Sequence, residues 1–141
     1  MENVLEKVEK LIASAKIGII SSVDEDGFPN IKAMLAPRKR EGLHTFWFST
    51  NTSSRRVEQY RKNPKASIYF YKKGLFVWQG VMLIGTMEVM EDAESKESIW
   101  EKGDTVYYEQ GVTDPDYCVL KFTAAKGQLY RNLEIANFTL D

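Results

Sequence analysis

The residues best placed to do chemistry lie together in one segment. Positions 49–56 read Ser-Thr-Asn-Thr-Ser-Ser-Arg-Arg, so five hydroxyls and an amide run into two guanidinium groups. The segment follows Phe46, Trp47 and Phe48 and precedes a helical pattern over 53–63 that Pro64 stops. A helix start leaves up to four backbone N–H groups without partners. Ser53 or Ser54 can cap one of them. The helix dipole favours Asp or Glu in that first turn, and Arg55 and Arg56 carry the opposite sign. Two readings stand. A phosphate would compensate, accepting from the free N–H groups, the hydroxyls and both guanidinium forks. A solvated basic helix end would instead cost roughly tenths of a kcal/mol and mean nothing further. The flanking stretches, Ala33 to Leu35 and 46–48, supply flat apolar and aromatic surface. Such surface suits a phosphate attached to a large planar group.

Other chemistries find little support. Structural zinc needs several Cys or His ligands, and the chain has one of each, Cys118 and His44. Cys118 lies in an apolar stretch, where an inert buried thiol is the default. No glycine-rich phosphate loop of the dinucleotide or Walker type occurs. The 141 residues suffice for one domain, taken as 1–141, and their 43% hydrophobic content suits a globular core. A net charge of −1 gives no reason to expect nucleic acid. The basic run Arg38, Lys39, Arg40 reads as a solvated charged turn. Charges from Glu2 onward argue against a signal peptide, no apolar run is long enough for a bilayer, and a lone cysteine fits a reducing cytoplasm.

These residues must be positioned by short elements. Val4, Leu5, Val8, Leu11 and Ile12 share one helical face, predicting a helix over 2–15. Strands are expected at 17–20 and 29–35 around an acidic turn, then at 43–49, 66–71 and 76–90. Gly80 and Gly85 inside the last of these imply a bulge or a close backbone approach. A helix over 93–100 with Asp92 as cap, a helical turn near 105–109 and a strand at 117–122 follow. Residues 128–131 continue that strand, and 132–141 receive no assignment. Short antiparallel strands with helices between them predict a mainly β, α+β fold, a small barrel with helices packed on it.

Taken in order, the motifs resemble a known family. Gly27-Phe28-Pro29, Lys32-Ala33-Met34-Leu35, the 49–56 segment and Asn63-Pro64-Lys65-Ala66-Ser67 occur in the order and spacing of the pyridoxamine phosphate oxidase-like proteins. The run from Gly80 to Val89 and the strand from Asp116 to Phe122 also fit, and the general stress proteins are the most similar subgroup. The resemblance spans about Lys16 to Tyr130. It implies an antiparallel split β-barrel, usually a homodimer with FMN in clefts at the subunit interface. It further implies that Lys32, Ala33, Met34 and Leu35 border the flavin, with Lys32 near the phosphate. Ser49 and Thr50 match the family's aromatic-or-hydroxyl plus Thr pair. Ser54, Arg55 and Arg56 match its Ser-Arg-Lys phosphate clamp, with Arg in the last place. The family often sets a Gln on the long strand, reaching over from the other subunit. Gln79 is one residue out of step with that position, which Gly80 occupies, so it is either that residue or a surface strand residue.

The C-terminal segment 131–141 lacks the Arg-x-His pattern of true pyridoxamine phosphate oxidases. The resemblance therefore implies FMN binding without vitamin B6 oxidation, in a cytoplasmic oxidoreductase of stress-protein type. Its small-molecule substrate and catalytic residues are unknown, and no metal, membrane or nucleic-acid partner is expected. The alternatives are a flavin-binding module without turnover, or a related split barrel that uses deazaflavin F420 or heme. Heme is disfavoured because His44 is the one candidate ligand.

Overall fold

The computed structural model describes residues 2–141. Helix α1 spans Val4–Ser14, capped by Asn3, whose side chain accepts from the Glu6 N–H while the Glu6 carboxylate accepts from the Asn3 N–H. Val8, Leu11 and Ile12 on its apolar face are buried in the main core.

Eight strands follow: β1 Ile17–Val23, β2 Pro29–Leu35, β3 Lys39–Glu41, β4 Thr45–Asn51, β5 Lys65–Lys73, β6 Trp78–Met90, β7 Tyr117–Arg131 and β8 Glu134–Thr139. Helix α2, Arg55–Lys62, joins β4 to β5. Helix α3, Ala93–Ile99, and the 3-10 turns Lys102–Val106 and Gly111–Thr113 join β6 to β7. Asp92 caps α3 as expected, its carboxylate accepting from the Ser95 N–H at 3.0 Å.

All pairings are antiparallel, in the order β2-β1-β5-β6-β7-β4-β3. The end strands β2 and β3 do not pair, so the barrel is split, in agreement with the expected class. Strand β7 is bonded along one side to β6. Along its other side β4 takes the first half and β8 the second.

Alternation along β4 and β5 buries Phe46, Phe48, Ile68 and Phe70, which meet Phe122 and Leu83 in the core. Each such side chain contributes about 1.5–3 kcal/mol by leaving water. A smaller cluster of Ile99, Tyr108, Tyr117 and Val119 lies under α3 and the following turns.

The glycines in β6 have the two roles foreseen for them. The β6–β7 register shifts between Ile84 and Gly85, and a Cβ on Gly85 would stand 1.9 Å from the Thr123 carbonyl oxygen. A Cβ on Gly80 would stand 1.9 Å from the Tyr69 hydroxyl.

One expectation needs correction, and two stretches gain detail. The basic run 38–40 is not a solvated turn. Lys39–Glu41 pairs with β4, Arg38 bonds Asp104, and Arg40 bonds Glu9 of α1. The stretches 117–122 and 128–131 form one continuous strand, as expected, and the bulge lets the chain bend without leaving the sheet. The unassigned tail returns as β8 through Asn132 and Leu133, both in the left-handed region at φ 52° and 68°.

Candidate functional site

Helix α2 is fixed against β1 by buried contacts. Val57, Gln59 and Tyr60 are buried; Ser22 Oγ donates to Gln59 Oε1 at 2.5 Å, and the Tyr60 hydroxyl donates to the Ser21 carbonyl at 2.6 Å. The loop before α2 is tied to the start of β7. The Asp116 carboxylate accepts from the Asn51 side chain at 2.9 Å and the Ser53 N–H at 2.8 Å, which holds it below the usual carboxylate range.

Ser54 occupies the N-cap position with extended backbone, yet its hydroxyl makes no cap bond. Among the described residues, Thr52 Oγ1, Ser54 Oγ and Arg56 Nε are buried side-chain atoms without a hydrogen-bond partner. Buried polar atoms are nearly always paired, so a helix start with an unused hydroxyl and an unused guanidinium N–H is one prepared for an acceptor.

Beside this helix start lies a cleft of about 220 Å³. One wall is β2 and its continuation: Lys32, Ala33, Met34, Leu35, Ala36 and Arg38. Phe48, Ser49, Thr50 and Asn51 of β4 and Arg56 of α2 also line it. Arg56 donates to the Thr50 hydroxyl at 3.2 Å. Tyr107 and Tyr108 complete the lining. No carboxylate lines it among the described residues, and of its cations Arg38 is paired with Asp104 and Glu101, leaving Lys32 and Arg56 to favour an anion.

The structure thus brings together Lys32, Ala33, Met34, Leu35, Ser49, Thr50 and Arg56, with Ser54 adjoining at the helix cap. It does not bring Arg55 into that cleft. Successive helical residues point about 100° apart, and Arg55 lines a neighbouring pocket with Asp24, Glu25 and Asp26 of the β1–β2 turn. Gln79 is also elsewhere in the chain. It pairs with Lys72 and Arg131 and lines a third pocket beside α1.

Cys118 is fully buried in β7, and burial pushes its thiol pKa up, away from reactivity. His44 is exposed, with Nε2 at 2.5 Å from the Asp141 carbonyl oxygen, and lines none of these pockets.

The profile described as pyridoxamine 5'-phosphate oxidase matches residues 4–131. The chain belongs to that family. A protein from Clostridium acetobutylicum, related to general stress protein 26 of B. subtilis and of the pyridoxinephosphate oxidase family, is 44% identical. The match covers 97% of this chain and 94% of that one, with a TM-score of 0.86. General stress protein 26 from Bacillus anthracis is 19% identical over 97% of this chain and all of its own, with a TM-score of 0.73. A heme-binding protein from Mycobacterium smegmatis shares the fold at 15% identity and a TM-score of 0.79, over 99% of this chain and 59% of its own. Among curated proteins none matches.

Sequence reasoning about this family member missed the Tyr107–Tyr108 wall and the part Arg38 plays in holding it. Arg38 donates to both Asp104 oxygens, at 2.8 and 2.7 Å, which keeps that carboxyl well below its ordinary range. Burial pushes the Tyr108 phenol up to about 12, with the Ser49 hydroxyl alongside. A single sequence carries no signal for this pair, whose members lie 66 residues apart.

Proposed function

We propose that the cleft binds FMN and that the protein is a cytoplasmic, homodimeric flavin-dependent oxidoreductase of general-stress-protein type, acting on a small molecule. The carrying observation is the start of α2, where Ser54 Oγ and Arg56 Nε are buried and unpartnered beside a cationic cleft. Arg56 and Lys32 would hold the phosphate, with Ser54 supplying a hydroxyl donor. The β2 backbone and Met34 would border the ring. The bound flavin supplies the redox chemistry, and the protein supplies orientation and exclusion of water.

A second copy of the chain completes this site. Cofactor pockets usually enclose roughly 300–1,000 Å³, and the single-chain cleft offers about 220 Å³. Leu35 at its rim and Ile31 on the same edge strand are 66% and 76% exposed, apolar surface that a two-fold partner would cover.

The segment after β7 is used in sheet pairing as β8 and carries no histidine. Turnover of pyridoxamine phosphate is accordingly expected to be negligible, and photoreduction of the bound flavin is expected to succeed. Titration with FMN and riboflavin, followed by flavin fluorescence, tests the cofactor reading. FMN should bind at least tenfold more tightly, the worth of one charge-assisted bond of about 1.5 kcal/mol or more. Equal affinities would show that no phosphate clamp exists.

A further inference from the structure

The aromatic residues lining the cleft differ in how they are covered. Phe48 is core, and the Tyr108 ring packs 4.8 Å from Tyr117 and 6.1 Å from Trp100. Tyr107 is 64% exposed, and its aromatic neighbour among the described residues is Tyr108, at 6.4 Å and tilted by 59°. Exposed tyrosines are ordinary. This one stands on an unusually well-anchored backbone. The N–H groups of Tyr107 and Tyr108 both donate to the Asp104 carbonyl, at 2.9 and 3.0 Å. The Asp104 carboxylate accepts from the Glu101 N–H and from both arms of Arg38. Arg38 also lines the cleft. A largely exposed ring is therefore attached to a backbone fixed by a part-buried ion pair, which lowers the ordering cost of stacking on a ligand.

We propose that Tyr107 is the ring-contacting residue of the cleft, stacking on the planar ring of a bound flavin, with the Arg38–Asp104 pair as its positioning device. This rests on the flavin reading above and divides the work of binding. Arg56 and Lys32 take the phosphate, and Tyr107 takes the ring. An electron-rich phenol on an electron-poor heterocycle favours offset stacking, and an electron-donating ring in contact with a flavin quenches its emission.

The test titrates FMN and riboflavin into wild type, Tyr107→Ala, Tyr107→Phe and Asp104→Asn, reading affinity and the residual emission of the bound flavin. Tyr107→Ala should weaken both flavins by the same factor, roughly three- to tenfold, and leave the bound flavin brighter. Tyr107→Phe should keep the affinity and lose part of the quenching, because the ring is kept and the phenol is not. Asp104→Asn should move both readouts in the direction of Tyr107→Ala and add little to it in the double variant. Unchanged affinity and emission in Tyr107→Ala would overturn the assignment, as would an effect on FMN alone. A wild type that binds neither flavin removes the cofactor reading and this inference with it. A wild type that binds both equally removes only the phosphate clamp, and Tyr107 stands if its Ala variant still weakens both.

Discussion

Replacing Asp104 by Asn leaves its volume and one oxygen in place and removes the charge that Arg38 faces. The pair is largely desolvated, with side-chain exposures of 14% for Arg38 and 4% for Asp104. Breaking such a pair from one side costs about 3–5 kcal/mol, mostly because the remaining charge is stranded. Arg38 is not wholly stranded here, since Glu101 stays at 3.1 Å and the Ile99 carbonyl at 3.3 Å. Those partners place the expected loss at the lower end, about 2–3 kcal/mol. For a chain of this size that is a fall in Tm of roughly 8 °C. Urea unfolding at fixed protein concentration measures it, because dimerisation would shift the midpoint with concentration. The double variant Arg38→Met/Asp104→Leu should recover most of the loss, since apolar replacements strand no charge. The pH dependence has a definite sign. A carboxyl whose folded pKa lies below its ordinary 3.8 stabilises the fold above that value. Its contribution is lost as pH falls through the folded pKa, so the gap between wild type and Asp104→Asn should close in acid. A loss under about 0.5 kcal/mol, or a double variant equal to the sum of the singles, would refute the pair as an anchor.

Arg56→Ala should weaken FMN by roughly ten- to a hundredfold and leave riboflavin nearly unaffected, whereas Arg55→Ala should change either by less than about threefold; titration of both variants decides. Gly85→Ala should destabilise by at least about 3 kcal/mol in urea, because its methyl meets backbone. Gly80→Ala should cost less, since the Tyr69 side chain can turn away. Cys118 should react with a thiol reagent only at the rate of unfolding, and Cys118→Ser should leave FMN affinity unchanged; rapid labelling of the native protein would contradict its burial.

Much of the fold was legible because its signals are local. The α1 face, the Asp92 cap and the acidic β1–β2 turn all rest on residues within four or five positions of one another. The β8 hairpin was not legible because its turn lacks the usual Asn-Gly. Leu133 takes the left-handed position that glycine normally fills. Strand β3 was hidden because Lys39, Arg40 and Glu41 look like a turn, and Arg40 finds its partner, Glu9, on a distant element. In the cleft, hydroxyls and charge pointed to the α2 start. They could not separate Arg55 from Arg56, whose directions diverge only once helical geometry is imposed. The tyrosine wall belongs to tertiary structure alone, because Asp104 and Arg38 meet across 66 residues.

The long shared strand β7 also sets an order of events during synthesis. The β4 segment that floors the cleft has Tyr117 to Thr123 as its partner, so Ser49 and Thr50 leave the ribosome well before the strand that holds them. Until then β4 can bond only the three-residue β3, with its apolar alternation exposed. Contacts of such sequence separation form slowly and leave strand edges open meanwhile. The cleft floor is therefore complete only after residues 117–123 have emerged and paired. Truncations that end before residue 117 should emerge as aggregation-prone fragments, whereas those that remove only β8 keep the cleft floor paired.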